Sequence, residues 1–528
     1  MIEEADRIPA GSHIDADLCI VGGGAAGLTI AKSLGGKGRR IVILESGGLK
    51  FERAAQRMSR GITAGDPYEP LDLCRVRQYG GTTGQGGWGG WCKPLGAEDF
   101  RSITGMPLGG WPLEHAALTA YVARAAQYVG LPAADASVED PRLFEASAAL
   151  FSEPCLLAPR ADFSRPWEAF FKGEDRLSLF LHATALTLQT NEARDRVVLV
   201  HAAARRGTRF TIGARQFVLA GGGIENARIL LLSDGLGNQS DCVGRYFMEH
   251  PRLSWGRLQV PNKEQIMPFD PTTGGLVYGP PDERKRGRYF GIALRPEKRA
   301  ELRILGSRTW IRPQVAGGSN EGAEALRYLS FWMRRGRLHP TLLRQVQKMA
   351  RHPIETSQAA MLRLGRRHGK AGAYCFETIL EQEPQSSNRV MLDSERDAFG
   401  LPRARLEWKV GPLVHRTLRC VQKTITQEMR RLGFDCTLPA EEDQPRFTWV
   451  RHHMGTTRMS EDPRTGVVDP NCRVHGTSNI FIAGSSVFPT GGNDMPTLTI
   501  LALAIRLAAH LETLLANPRE RDLPPAAT

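Results

Sequence analysis

The residues best suited to chemistry lie near the C-terminal end, in His452-His453-Met454-Gly455-Thr456-Thr457-Arg458-Met459. Adjacent histidines can ligate a metal, but no acidic or cysteine partner stands nearby, so the metal pattern is weak. One imidazole titrating near neutrality is suited instead to taking a proton as a general base. On residue chemistry alone, a structural histidine accounts for the pair as well as a catalytic one does. Further on, Ile480-Phe481-Ile482-Ala483 reads as a strand and meets Gly484-Ser485-Ser486. Pro489-Thr490-Gly491-Gly492-Asn493-Asp494-Met495-Pro496-Thr497 then opens a long apolar helix from Leu498 to Leu515. That order aims a helix N-terminus at a ligand.

A second chemical signal sits near the N-terminus. The apolar run Asp17-Leu18-Cys19-Ile20-Val21 reads as a buried parallel strand. It meets Gly22-Gly23-Gly24-Ala25-Ala26-Gly27, which fits G-x-G-x-x-G, and a helix starts at Leu28. Ile41-Val42-Ile43-Leu44 is a second strand, closed by Glu45. Gly22 makes the tight turn, Gly24 admits a pyrophosphate, and Gly27 lets helix and strand pack closely. Glu45 is placed to accept ribose hydroxyls and would repel a 2′-phosphate, which disfavours NADP. The unit is read as a dinucleotide site.

The elements between these signals must position them. Gly80-Gly81-Thr82-Thr83-Gly84-Gln85-Gly86-Gly87-Trp88-Gly89-Gly90-Trp91 brings backbone amides close to a flat ligand, and its tryptophans have apolar faces to bury. It is read as a loop covering a cofactor. Residues 178–220 read as a strand-rich meander ending at Ala220-Gly221-Gly222-Gly223, with a helix following. Residues 321–370 hold eleven basic residues against Glu321, Glu324 and Glu355, with apolar residues at helical spacing. These read as amphipathic helices with a basic face. That face is either solvated over the core or a surface for an anionic membrane, an acidic partner or a phosphorylated substrate.

Composition bounds the rest. A chain of 528 residues, 41% hydrophobic, affords a sizeable core and excludes global disorder. The net charge of +13 permits acidic partners without naming one. No aromatic–basic interleaving suggests nucleic acid. Nine cysteines without a C-x-x-C pair exclude a zinc ribbon, a thioredoxin-type dithiol and haem attachment within this chain. The odd count fits a reducing compartment. The opening residues show no basic n-region or apolar h-region, and no window of about 18 uncharged apolar residues occurs. The expectation is a cytoplasmic protein, with peripheral membrane association through 321–370 as the variant.

Together these regions resemble the glucose–methanol–choline (GMC) family of FAD oxidoreductases. The carriers are VGGGAAG and ESGG (45–48), GGTTGQGGWGGW (80–91), ARQFVLAGGGIENARILLLS (214–233) and GRYFMEHP (244–251). EQEPQSSNRVMLDSERDAFGLP (381–402), HHMGTTRM (452–459) and PTLTI (496–500) complete them. The resemblance implies an α/β fold, with a Rossmann-like, glutathione-reductase-like FAD-binding domain assembled from discontinuous segments. A second domain, an antiparallel sheet with helices, would hold substrate. The FAD segments would span 10–135, 175–250 and 445–520. The substrate domain would span 136–174 and 251–444, with 321–370 as a basic helical insertion.

The implied chemistry is oxidation of a CH–OH group on a sugar, glycoside or polyol-like alcohol, by hydride transfer to flavin N5. His452 matches the family's base position and His453 does not. The resemblance implies FAD contacts at Gly22, Gly24, Ala26, Gly27, Glu45, Gly81, Thr82, Thr83, Trp88 and Gly89. It extends them to Ala220, Gly221, Gly484, Ser485, Met495, Pro496 and Thr497. Relatives usually carry Asn or His where this chain has Met495, and a thioether cannot donate a hydrogen bond. Asn493 is expected to supply the second polar group, with Asp494 as the alternative. No histidine stands in the glycine loop, so FAD is expected to be non-covalent. The electron acceptor would be O2 or another carrier, and the alternative reading is a same-fold flavoprotein with no net oxidation, a lyase or electron-transfer subunit.

Overall fold

Strand Ile41–Glu45 is buried at every position, as a parallel strand covered on both faces requires. It pairs in parallel with His13–Val21 on one side and Leu177–Leu181 on the other. His13–Val21 continues in parallel to Arg209–Leu219, which also takes Ile480–Ile482. Beyond it, Val197–Ala204 and Ala183–Thr190 run antiparallel within the expected strand-rich stretch 178–220, whereas Leu177–Leu181, expected in the same meander, pairs in parallel. Helices Ala25–Leu34, His115–Tyr128, Gly222–Leu232 and Thr497–Ala516 bury their apolar residues in the core of this sheet. Thr497–Ala516 is long and apolar enough to cross a membrane. Here Leu498, Leu501, Ile505 and Leu511 are instead packed in that core.

The structure is a computed structural model. It describes residues 1–86, 90–101, 108, 110–131, 142–158, 164, 167–260, 262–269, 288–313, 321–333, 342–363, 373–439, 445–493 and 495–516.

A second, antiparallel sheet runs in the order Asp435–Thr437, Pro251–Gln259, Ala373–Leu380, Ser307–Pro313, Arg288–Leu294, Leu150–Leu157 and Trp91–Cys92. Helix Pro412–Arg431 starts with Pro at its first position, where no hydrogen bond is lost. Its Val414, Leu418, Val421, Ile425 and Met429 repeat at helical spacing and bury one face against the sheet's core. A small third sheet joins Arg389–Arg396, Pro402–Trp408 and Gly61–Gly65.

Some of these pairings cross the expected boundaries. Ile2–Glu4, upstream of the expected start at 10, is a strand on the edge of the nucleotide-type sheet. Trp91–Cys92, assigned to the FAD segment, pairs with the antiparallel sheet. Residues 389–408, assigned to the substrate side, pair with Gly61–Gly65 and bury Val390, Leu406 and Trp408 in the first core. Segments 321–333 and 342–363 are helical, at Glu321–Met333, Leu342–Arg351 and Pro353–Arg363. All nine cysteines are free thiols.

Candidate active site

The glycine motif folds as its residue types require. Gly22 adopts φ of +115°, and a Cβ there would strike the Ala220 carbonyl. Gly24 starts helix Ala25–Leu34, and Gly27 lies so close to the Gly22 carbonyl that a Cβ cannot be accommodated. The second glycine loop docks on the first: the Gly80 amide donates to the Gly23 carbonyl at 2.8 Å. The two loops and the ends of four parallel strands enclose a cavity of about 410 Å³.

Glu45 lines this cavity. Its Oε2 accepts from the Gly23 amide at 2.9 Å and its Oε1 from the Gly47 amide at 2.7 Å. Burial pushes its pKa up, and those two amides oppose the shift. Gly22, Gly24, Ala26, Gly81, Thr82, Thr83, Ala220, Gly221, Gly484, Ser485, Pro496 and Thr497 also line the cavity. Gly27 stands behind the lining and sets the approach of helix to strand. Trp88, Gly89 and Asp494 lie outside the described residues.

His452 is at the cavity wall. Its segment is stitched to both glycine turns. Gly455 donates to the Ser485 carbonyl at 3.1 Å, and Ser485 Oγ donates to the His453 carbonyl at 2.7 Å. Thr456 Oγ1 donates to the Gly223 carbonyl. Met248 and Met454 exchange backbone hydrogen bonds at 3.0 and 3.1 Å. That register sets residues 249–250 against 452–453, and His250 Nδ1 meets His452 Nδ1 at 2.9 Å.

The tautomers follow from the partners. Burial lowers the His250 pKa to about 4, so its ring is neutral at pH 7. Its Nε2 lies 2.9 Å from the Gly492 carbonyl, which can only accept. The single proton of His250 is therefore on Nε2, and its Nδ1 accepts from His452 Nδ1–H. His452 is left with Nε2 as its basic nitrogen. Burial, then His250 and His453, hold the His452 pKa well below the usual imidazole range.

Behind the histidines lies a carboxyl that the sequence reading assigned no role. Glu249 Oε1 accepts the backbone amides of His250 and His452, each at 2.8 Å. Its Oε2 accepts from the Tyr68 hydroxyl at 2.6 Å, and His453 Nε2 lies 3.0 Å from that hydroxyl. Burial raises the Glu249 pKa to about 7, against the lowering effect of the Tyr68 bond. His453 is therefore committed to Tyr68, with its pKa brought down to about 3 by burial.

Two expectations at the last motif change. Asn493 is not among the residues lining the cavity. Its Nδ2 donates to Glu153 Oε2 at 2.8 Å and its Oδ1 accepts from Lys93 Nζ at 2.6 Å. Burial favours a raised Glu153 pKa, but Arg308 and Lys93 outweigh it and bring the value to about 2. Asn493 thus braces a buried ion cluster, and its catalytic assignment is not supported by these contacts. Met495 is also outside the lining. It packs with Cys155, Trp310 and Ile379, and Cys155 Sγ contacts its sulfur at 3.2 Å. The place beside His452 is held by His250, from a different segment. Its signal was the histidine in GRYFMEHP, a motif read for family likeness and not for its side chains. Arg75 and Arg77 were likewise passed over. Both line the cavity and converge on Glu225, at 2.7 and 3.3 Å.

The residues fit FAD. The strand–glycine–helix turn, the collision-limited Gly22, and the amide-held Glu45 facing the cavity form a cradle for an adenine dinucleotide. Among the described residues no group of three or more His, Cys, Asp or Glu is arranged to hold a metal ion.

A parallel sheet carrying the strand–glycine–helix turn, an antiparallel sheet beside it and a buried histidine pair at the cavity wall define the architecture. A crystal structure of formate oxidase aligns with 96% of this chain and 99% of its own at a TM-score of 0.53 and 15% identity, which establishes the shared fold. Residues 384–504 match the family model described as GMC oxidoreductase. The chain is 26% identical over 302 residues to the fructose dehydrogenase large subunit of Gluconobacter japonicus, covering 56% of this chain and 46% of that protein. It is 35% identical over 133 residues to paromamine 6′-oxidase of Streptomyces fradiae, covering 25% and 24% respectively. The chain thus spans less than half the length of these relatives in the matched regions.

Proposed function

We propose that this chain is an FAD-dependent oxidoreductase that converts a CH–OH group of a sugar-like, glycoside or polyol alcohol to a carbonyl, with His452 as general base. The observation that carries the reading is the His452–His250–Gly492 hydrogen-bond chain, which leaves a basic Nε2 on a side chain lining the dinucleotide cavity. FAD bound in that cavity supplies the acceptor for the hydride that leaves carbon. His452 takes the hydroxyl proton. Burial disfavours its imidazolium, so the ring stands ready in its neutral, proton-accepting form. His250 holds the His452 ring in the productive tautomer and orientation. The glycine turns and the Glu45 carboxylate orient the dinucleotide.

The name fructose dehydrogenase supports the sugar-like substrate, and the presence of both a dehydrogenase and an oxidase among the relatives keeps the acceptor as O2 or another carrier. FAD is held without a covalent bond, because residues 80–91 contain no histidine to attach it.

The test is an anaerobic screen of sugars, glycosides, polyols and simple alcohols, followed at the oxidised-flavin absorbance. His452→Ala is expected to retain FAD that acid precipitation releases, and to slow alcohol-driven flavin reduction by about 10²-fold or more. Reduction of the variant at the wild-type rate would remove His452 from the base role.

A further inference from the structure

Helices Glu321–Met333, Leu342–Arg351 and Pro353–Arg363 form a packed unit of their own. Ala325 and Leu329 of the first helix are buried. The Gly322 amide donates to the buried Glu355 at 3.0 Å, and a Cβ on Gly322 would meet Thr356. Lys348 is turned inward to Glu321 at 3.4 Å. The second and third helices are nearly continuous. Around Pro353, His352 donates its amide to the Lys348 carbonyl at 3.1 Å and Thr356 donates to the His352 carbonyl at 3.0 Å.

The outer face of this rod is apolar. Leu343, Val346, Ile354 and Met361 are 79, 46, 63 and 42% exposed. With Ala350 and Ser357 between them, they recur at steps of three and four residues and so form a single stripe. Met333 at the end of the first helix is a further exposed apolar side chain, at 55%. Exposed Arg344 and Arg351 flank the stripe on one side. Glu355, which is buried, is the sole acid between 342 and 363.

We propose that this face docks the protein on an anionic lipid surface, with Leu343, Val346, Ile354 and Met361 entering the acyl boundary and Arg344 and Arg351 at headgroup level. An amphipathic helix with aliphatic residues on one face and arginines at its margin binds the interface plane in this way. The net charge of +13 adds long-range attraction to an anionic bilayer. A second copy of the chain in antiparallel face-to-face pairing fits less well, because it brings the two arginine margins onto the same edge. A protein partner fits less well too, because the stripe offers no aromatic side chain and interface anchors are typically aromatic. The inference is independent of the catalytic reading.

The test uses the full-length, FAD-containing chain and sedimentation with phosphatidylcholine vesicles, with and without phosphatidylglycerol. Binding is expected to the phosphatidylglycerol vesicles at low salt and to weaken as salt rises. The double variant Leu343→Ser/Ile354→Ser is expected to lose vesicle affinity roughly tenfold or more, and Arg344→Glu/Arg351→Glu by a similar factor. Both should keep the wild-type flavin content, thermal midpoint and anaerobic flavin-reduction rate. Absence of binding at low salt overturns the proposal, as does equal binding by the serine variant. Light scattering that shows a wild-type dimer, dissolved by the serine variant and indifferent to vesicles, assigns the face to self-association and overturns it as well.

Discussion

His452 and His250 are adjacent because two distant segments exchange backbone hydrogen bonds at Met248 and Met454. The consequence is an imidazole pair whose protonation does not follow the usual imidazole range. With His250 at about 4 and His452 well below 6.5, the proton-accepting form is populated throughout neutral pH. The pH profile of kcat/KM for the reducing alcohol should therefore stay level from pH 8 down through 6.5, where an ordinary histidine base would already titrate. The His250 acceptor is testable separately. His250→Leu removes the partner of His452 Nδ1–H and is expected to slow flavin reduction by about 10–100-fold. His250→Asn, whose amide oxygen can stand near the Nδ1 position, should recover most of that loss. Equal rates in the Leu and Asn variants would show that His250 acts through packing alone.

At the scale of elements, the site depends on close backbone approach. Helix Ala25–Leu34 lies on strand His13–Val21 because Gly27 has no Cβ to strike the Gly22 carbonyl. Gly27→Val must push the helix outward and open the turn that Gly22 and Gly24 form. Overpacking of this kind costs about 1–3 kcal/mol. The variant should show a lower denaturation midpoint and a flavin-to-protein absorbance ratio well below wild type, and full flavin content would contradict the account. The same reasoning explains why Asn493 and Met495 do not do what their motif position suggests. Met495 adopts φ of +53°, and Asn493 is held by Lys93 and Glu153. A left-handed backbone at a non-glycine residue and a buried ion cluster assembled from distant segments cannot be read from residue type.

At the scale of the molecule, the buried histidines tie stability to pH. Unfolded, each titrates near 6.5. Folded, burial places His250 at about 4 and His453 at about 3, with His452 lowered too. Between those values the unfolded chain binds more protons, so their contribution is present above 6.5 and lost as pH falls. Glu249 acts in the opposite direction. Its folded value of about 7 stands above 4.5, so its contribution is present below 4.5 and lost as pH rises through 7. Glu249→Gln removes this opposing contribution. Chemical denaturation across pH 4.5 to 6.5 should show a steeper acid loss in the variant than in the wild type, and a shallower one would reverse the assignment.

Much of the nucleotide cradle was legible in the sequence because its determinants are local. A buried strand, three glycines and an acid within about thirty residues specify a βαβ turn almost wherever they occur. The segment that holds His452 was singled out through likeness, since His452 and Gly455-Thr456 form one short run. Other features were set by contacts between residues hundreds of positions apart. His250 stands 202 positions from His452, and Pro402–Trp408 pairs with Gly61–Gly65 across the expected domain boundary. Asn493 is drawn to Lys93, 400 positions away. Spacing along the chain carries no information about such pairs. Sequence therefore determined which residue types could hold a dinucleotide and take a proton, whereas tertiary packing decided which side chains meet, which ring nitrogen holds the proton, and which apolar helix face is left exposed.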